Sequence, residues 1–272
     1  MFAWELPTTP PSWDVGARFV HEIWAPSQFC VNAFERLAPG RVRLVPYPLA
    51  ALPDLPVSGS RADFGIADNV LVVLVVLNVA SSLVRKNPEA AIAAFRAAFG
   101  DRGDVLLIVK LSGTGFYPSD RQIIISAIGS SQNIRVIDQN LPESALRGLI
   151  AISDIVLSLH RAEGFGLIPA TAMLFGRAVV ATGWSGNMDF MDADSAGLVD
   201  FTLVPVVDPR GVYTQADCSW AEPDVSHAAQ MLRALADDFD RRGNLAMRGK
   251  AKVLEVLGDA ALRRALASSG IR

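Results

Sequence analysis

The chain has 272 residues, a formal net charge of -3, and a composition that is 51% hydrophobic and 19% charged. This apolar content supports a packed core and excludes an intrinsically disordered chain. The slight excess of acidic residues also excludes a nucleic-acid binder that works through a strongly basic face. The length corresponds to one large domain or two small ones, at roughly 100–200 residues per domain.

Cysteine usage and hydropathy set the expected location. Cys30 and Cys218 lie far apart and form neither a disulfide framework nor a Cys-x2-Cys zinc motif, so a cytoplasmic protein is expected. No signal peptide is predicted at the start of the chain. The longest apolar run, residues 70–77, is far shorter than the roughly 20 residues of a spanning helix. Peripheral contact with the inner face of a membrane stays open, although no basic amphipathic stripe indicates it.

In chain order, the pattern first predicts a strand from residue 17, a helix at 29–37 and a strand at 42–47. A Pro, Gly and Ser stretch at 53–60 then indicates a boundary. Beyond it, β-branched and apolar runs predict strands at 70–77, 105–111, 134–138, 155–159 and 178–181. The segments between them predict helices at 88–99, 119–129, 142–152 and 169–175, and residues 226–271 are predicted to be mostly helical.

This alternation of strands and helices predicts an α/β fold with a doubly wound parallel, Rossmann-like sheet and helices on both faces. Such a sheet binds ligands beyond the carboxyl ends of its strands. We therefore expect the binding site in the loops that follow residues 77, 111, 138, 159 and 181.

The segment 160–167 (HRAEGFGL) joins a predicted strand to a predicted helix. Gly164 and Gly166 flank Phe165, and glycine lets backbone amides approach a ligand closely. The amides at the start of a helix lack partners and carry partial positive charge, so the segment suits a phosphate group. Glu163 could accept hydrogen bonds from sugar hydroxyls. On these residues alone, a Gly-rich turn with Glu163 capping the helix stays an equal alternative.

Residues 154–191 (DIVLSLHRAEGFGLIPATAMLFGRAVVATGWSGNMDFM) resemble the donor-site signature of family-4 (group 1) retaining glycosyltransferases of the GT-B fold. That signature has an EGFGL turn, an EAM helix and a G-x-P/A-V-V-A-T strand. Residues 84–88 (VRKNP) resemble the RKNP helix start of the same family, and residues 204–224 resemble a segment of one bacterial branch. The stretches FAWELP, VHEIWAPSQF and RLVPYPL resemble the end of its N-terminal domain and the crossover.

The resemblance implies that residues 1–58 are the end of an N-terminal, acceptor-side domain and that residues 59–272 form the C-terminal nucleotide-sugar-binding domain. Glu163 matches the first Glu of the family's Glu-x7-Glu motif, which contacts the donor sugar, and is the expected catalytic residue. Lys86 matches the lysine that binds the donor diphosphate. The turn whose amides meet sugar and phosphate is matched by Gly164, Phe165, Gly166 and Leu167.

The implied function is transfer of a sugar, with retention, from a nucleotide-sugar donor to a saccharide or glycoconjugate acceptor in bacterial polysaccharide assembly. The resemblance requires no metal or other cofactor. Its expected partners are the donor and the acceptor, with no nucleic acid and no transmembrane segment.

Three features depart from the family pattern. Thr171 stands where the second Glu of the motif holds the nucleotide ribose, and it is expected to bind the donor through one hydrogen bond instead of a bidentate, charged pair. Ala80 stands where the family has a phosphate-binding arginine. Most of the acceptor half also has no match, so it would have to come from a second chain. We therefore keep an alternative, a non-catalytic donor-binding remnant or a subunit of a split enzyme. We also expect exposed apolar surface near residues 7–13 and self-association.

Further residues are weaker candidates. Lys110 ends a predicted strand and is either a donor-phosphate ligand or a strand-end charge, and Gly186 could offer its amide to the donor. His160 either lines the pocket or holds the loop together. Asp192 and Asp194 have the Asp-x-Asp form that binds divalent cations in GT-A enzymes, but turn and cap roles are favoured here.

Overall fold

The computed structural model describes residues 1–51, 56–213, 215 and 217–268. The N-terminal part contains a short helix α1 (Asp14–Ala17), a strand β1 (Ile23–Ala25), a helix α2 (Gln28–Glu35) and a strand β2 (Val42–Leu44). β1 and β2 pair in parallel over three residues each. The strand predicted from residue 17 is therefore wrong at its start, because only Ile23–Ala25 finds a partner strand and Ala17 ends a helical turn.

A six-stranded parallel sheet forms the centre of the molecule. Its strands are β3 (Leu71–Asn78), β4 (Val105–Ser112), β5 (Ile134–Asp138), β6 (Ile155–Ser158), β7 (Ala178–Thr182) and β8 (Gly197–Val199). β4 and β7 are buried along nearly their whole length, and β3 is buried over most of it. Burial on both faces explains why these strands read as continuous apolar runs rather than as alternating ones.

Helices cover both faces of the sheet. In chain order they are α3 (Leu83–Lys86), α4 (Pro88–Phe99), α5 (Pro118–Ile128), α6 (Glu143–Ile152), α7 (Leu167–Leu174), α8 (Val225–Asp237), α9 (Phe239–Val256) and α10 (Asp259–Ser268). One apolar core lies between the sheet and α4, α5 and α8, and a second lies between the opposite face and α6, α7 and α9. The predicted doubly wound parallel sheet is confirmed.

The strand order is β5-β4-β3-β6-β7-β8, so the winding direction reverses between β3 and β6. At such a reversal the two following loops run to opposite faces and leave a crevice at the carboxyl ends of the strands. β3 ends at Asn78 and β6 ends at Ser158. The loops that carry Lys86 and Glu163 therefore leave the sheet side by side.

Two further strands, β9 (Phe201–Pro205) and β10 (Ser219–Pro223), form an antiparallel pair outside the central sheet. Together with the N-terminal part they build a third apolar core, which contains Trp4, Phe34 and Trp220. The boundary predicted at 58/59 stays a prediction, and residues 52–55 next to it lie outside the described residues. Within the described ranges, no helix combines the length and the apolarity needed to cross a bilayer.

Candidate functional site

A cleft of about 350 Å³ opens at the carboxyl ends of β3 and β6, at the reversal of strand order. Its volume lies within the range of roughly 300–1,000 Å³ that small-molecule sites occupy. Lys86, Glu163 and residues 164–169 line it, together with Ser158. The N-terminal segment contributes a further wall through Ala3 and Glu5.

The glycine-rich turn leads directly from β6 into α7. Gly166 adopts a left-handed conformation with φ +99, which favours glycine, and α7 begins at the next residue. Among the described residues, we find no hydrogen-bond acceptor for the backbone amides of Gly166, Leu167 and Ile168. These amides belong to the first turn of α7, where no carbonyl of the same helix can reach them. They border the cleft and suit an anionic ligand.

Two other glycines allow close backbone contacts around this turn. A Cβ on Gly164 would lie 3.0 Å from the carbonyl oxygen of Trp4, and a Cβ on Gly186 would lie 2.3 Å from the carbonyl oxygen of Gly164. The Gly186 amide donates to the carbonyl of Glu163 at 2.9 Å. The structure thus uses the Gly186 amide to join two loops, and its proposed contact with a ligand stays a prediction.

Glu163 and Lys86, predicted to bind different parts of one ligand, contact each other directly. The Nζ of Lys86 donates to Oε1 of Glu163, and Nη1 of Arg85 lies 3.4 Å from Oε2. Burial would raise the pKa of Glu163, but the positive charges of Lys86 and Arg85 outweigh it and lower the pKa to about 2. The carboxylate is therefore ionised at neutral pH, although the residue is buried.

Local backbone geometry places Lys86 at the cleft. α3 is a single helical turn that starts after Ser82, whose hydroxyl accepts from the Arg85 amide at 3.3 Å. Asn87 ends the turn in the left-handed conformation with φ +51, and Pro88 starts α4 immediately afterwards. This sharp reversal explains the Arg-Lys-Asn-Pro sequence and presents the lysine beside the end of β6.

Sequence reasoning missed Arg85, which is 2% exposed and lies at the centre of the charge network. It donates to the carbonyls of Ala162 at 2.7 Å and Ser81 at 3.1 Å, and it lies 3.8 Å from the carboxylate of Glu5. The hydroxyl of Tyr213 donates to the same Glu5 carboxylate at 3.1 Å. The available signal was the pair of adjacent basic residues, Arg85 and Lys86, after a buried strand. One residue of such a pair can be buried while the other faces the cleft.

Two predicted ligand residues have partners within the protein. The hydroxyl of Thr171 donates to the carbonyl of Leu167, one helical turn earlier, at 2.8 Å. Lys110 is 3% exposed and its Nζ donates to the carbonyl of Leu111 at 2.5 Å. Burial lowers the pKa of Lys110, against the opposing effect of Asp138. Neither side chain is among the described residues that line the cleft.

For His160, the structure shows the loop-bracing arrangement. The ring is fully buried, with Nδ1 3.0 Å from the Ser158 hydroxyl and Nε2 3.0 Å from Oδ1 of Asn187. Asp192 likewise makes turn contacts, because its Oδ1 accepts from the Ser195 hydroxyl at 2.7 Å and from the Asp194 amide at 3.1 Å.

No protein-family model and no curated protein sequence matches the chain. Solved structures do match it in three dimensions. HepE from Anabaena, in complex with UDP and glucose, is 18% identical, with a TM-score of 0.70 over 95% of this chain and 65% of its own. A glycosyltransferase from Rickettsia africae is 14% identical, with a TM-score of 0.69 over 97% of this chain and 68% of its own.

The C-terminal domain of the group 1 glycosyl transferase LpcC from Francisella tularensis is 19% identical, with a TM-score of 0.53 over 75% of this chain and 96% of that domain. The chain has the fold of these glycosyltransferases. The predicted Rossmann-like architecture of the GT-B type is thereby confirmed. Sequence identities this low support a shared fold and no finer conclusion. The chain spans about two thirds of HepE, 65% of its length.

Proposed function

We propose that this chain binds a nucleotide sugar in the cleft between β3 and β6 and transfers the sugar, with retention, to a saccharide or glycoconjugate acceptor. The observation that carries the proposal is the pair of buried Glu163 and half-buried Lys86, at the reversal of strand order. Beside this pair lie α7 amides for which the described residues supply no acceptor. Cation, carboxylate and free amides are the groups that a diphosphate joined to a sugar requires. UDP-glucose is a ligand of HepE, which has the same fold.

In this proposal, the donor diphosphate attracts Lys86 away from Glu163. The lysine ammonium and the amides of Gly166 and Leu167 then face phosphate oxygens, while Arg85 remains close to the carboxylate. The freed Oε1 of Glu163 accepts from sugar hydroxyls next to the bond that breaks. Lys86 stabilises the negative charge that collects on the departing nucleotide diphosphate, an electrostatic contribution to transfer.

Several features of the activity extend the same proposal. The resemblance indicates a transfer that needs no metal, in bacterial polysaccharide assembly. The cysteine usage indicates the cytoplasm as its location. The acceptor-side groups lie outside residues 59–272. Thr171, Lys110 and Gly186 keep their proposed roles at the donor only if their internal hydrogen bonds open on binding.

A second candidate is a donor-binding subunit that does not transfer the sugar by itself. Ala80 supplies no charge where the resemblance expects a guanidinium, and the Thr171 hydroxyl is tied to its own helix. A site that lacks these two contacts would bind the donor, and a partner protein would supply the groups that transfer the sugar.

One experiment separates the two candidates. A panel of nucleotide sugars is titrated against the purified chain, and release of free nucleotide is then followed with and without saccharide acceptors. Release that Glu163→Ala abolishes supports the transferase. Binding without release supports the subunit, and binding of no nucleotide sugar contradicts both.

A further inference from the structure

Ser158 is the last residue of β6, and it lines the cleft five positions before Glu163. The proposed function above gives it no role. Its hydroxyl contacts Nδ1 of His160 at 3.0 Å, and the imidazole is completely buried behind it. The protonation and tautomer of that imidazole therefore decide whether the Ser158 hydroxyl donates or accepts a hydrogen bond when a ligand binds.

The surrounding groups fix the tautomer of His160. The side-chain amide of Asn187 donates through Nδ2 to the carbonyl of Thr182 at 3.0 Å, so its Oδ1 faces His160 as an acceptor. The carbonyl of Trp184 also faces Nε2, at 3.3 Å. With acceptors alone on that side, Nε2 carries the proton. Burial lowers the pKa of His160, although the negative charge of Glu163 opposes this effect. The lowered pKa keeps the ring neutral.

A neutral ring protonated at Nε2 has a bare lone pair at Nδ1, and the group facing it is the Ser158 hydroxyl. Ser158 must therefore donate its proton to His160, which leaves only oxygen lone pairs for the cleft. We propose that Ser158 is a specificity-determining residue that accepts a hydrogen bond from a ligand hydroxyl, and that His160 is the positioning residue that fixes this polarity. The proposal rests on the proposed function, because it names a contact of the same nucleotide-sugar site.

This polarity selects ligand groups by their chemistry. A sugar or ribose hydroxyl can donate a hydrogen bond to the Ser158 oxygen. A phosphate oxygen in the same place would have no proton to share with that oxygen, so the two would repel each other. The serine therefore holds a hydroxyl-bearing part of the ligand, and the diphosphate is directed towards Lys86 and the α7 amides.

The test measures affinities of UDP-glucose, UDP and inorganic pyrophosphate for the full chain and for Ser158→Ala, with GDP-mannose and GDP as a second set. Loss of one neutral hydrogen bond should weaken binding about 3- to 10-fold. A loss confined to the nucleotide sugars assigns the contact to the sugar, and an equal loss for the nucleotides assigns it to the ribose. Pyrophosphate affinity should stay unchanged.

His160→Asn and His160→Leu test the positioning role. In His160→Asn, the asparagine oxygen can replace Nδ1 as the acceptor, so the preference for nucleotide sugar over pyrophosphate should persist. In His160→Leu, the side chain offers no acceptor, so this preference should decrease. A purely structural role would weaken all ligands together. Unchanged nucleotide-sugar affinity in a folded Ser158→Ala variant, or an equal loss for pyrophosphate, overturns the inference alone. A wild-type chain that binds no nucleotide sugar removes the proposed function as well.

Discussion

At the scale of single residues, the site depends on how Glu163 is kept charged. Its carboxylate is buried, and desolvation alone would favour the protonated form. Lys86 and Arg85 reverse that preference at contact distances. Arg85 is itself only 2% exposed, so its buried positive charge needs the negative charges of neighbouring carboxylates. Removing the charge of Glu163 should therefore affect stability as well as ligand binding.

We expect Glu163→Gln to lower the free energy of unfolding by about 3 kcal/mol, the lower end of the cost of removing one partner from a buried ion pair. The lower end applies because Glu5 continues to face Arg85. Urea denaturation at neutral pH measures the change. The matched control is Glu143→Gln on α6, where the carboxylate pairs with Arg147 but is 76% exposed and should contribute little. Equal effects of the two substitutions would contradict the role given to burial.

The depressed pKa of Glu163 also predicts a pH dependence. The pKa is about 2 in the folded state and about 4.3 in an unfolded chain, so the charged form stabilises the fold fully above roughly pH 4.5. This stabilisation is lost as the pH falls towards 2. The difference in unfolding free energy between wild type and Glu163→Gln should thus be constant from pH 7 to 5 and shrink from pH 4 to 3. A difference that persists unchanged at pH 3 would show that the carboxylate is not held by these cations.

Sequence reasoning predicted Glu163 and Lys86 because their motifs are local and contiguous. It could not predict that the two side chains meet, since that contact depends on β3 and β6 being neighbours in the sheet. Arg85 and Ser158 were missed for a related reason. Their roles depend on which neighbours bury them, and residue type alone does not show that.

At the scale of elements, the approach of two loops shapes the cleft. The loop after β6 and the loop after β7 touch where Gly186 lies against the backbone of Gly164, and the Gly186 amide bonds to the Glu163 carbonyl. The close approach needs a glycine at position 186, because the backbone atoms of Gly164 cannot move aside as a flexible side chain can. The two loops thereby hold the backbone of Glu163 in place beside the cleft.

Gly186→Ala should separate the two loops, since its Cβ would lie 2.3 Å from a backbone oxygen. We expect a loss of about 1–3 kcal/mol in stability, as for overpacked sites, together with weaker nucleotide-sugar binding. Thermal denaturation and titration calorimetry measure the two effects. Gly103→Ala is the control, because a Cβ there meets nothing within 4 Å. A Gly186→Ala variant with wild-type stability and affinity would show that the loops do not need this contact.

The central strands were predictable because their β-branched and apolar runs are long and are bounded by polar or turn residues. β4 and β5 begin where the sequence pattern predicts, and α4 has the predicted bounds. β9 and β10 were not predicted, because the two segments are short and pair with each other across a 13-residue connection. Their strand character comes from that pairing rather than from local periodicity.

At the scale of the whole molecule, the N-terminal part packs directly on the site. The Ser27 hydroxyl and the Cys30 thiol both donate to the carbonyl of Gly164, at 2.6 and 3.1 Å. Trp4 lies against Gly164 from the same side. The N-terminal part thus supports the glycine-rich turn at Gly164.

The same part of the molecule exposes large apolar side chains, among them Phe2, Val15 and Phe19, the last of which is 83% exposed. The same part of the chain also has a groove of about 470 Å³, which Phe2, Trp13 and Val20 help to line. Exposed apolar patches commonly mark protein contacts, so we expect the chain to self-associate at high concentration. Phe19→Glu should shift it towards monomer in sedimentation velocity, whereas Met247→Glu, at an exposed position of α9, should not. A wild-type chain that stays monomeric at every concentration would refute this expectation.

We propose that Lys86 and Glu163 separate to receive a nucleotide sugar, and calorimetric titration of UDP-glucose and GDP-mannose tests this claim most directly. We predict that the wild-type chain binds at least one of them and that Lys86→Met weakens this binding about tenfold or more, because a charge-assisted contact to the diphosphate is lost. Lys250→Met, an exposed lysine of α9, should bind as wild type does. Equal affinity of the Lys86→Met variant and wild type, or no binding of either ligand to the folded wild-type chain, would contradict the claim.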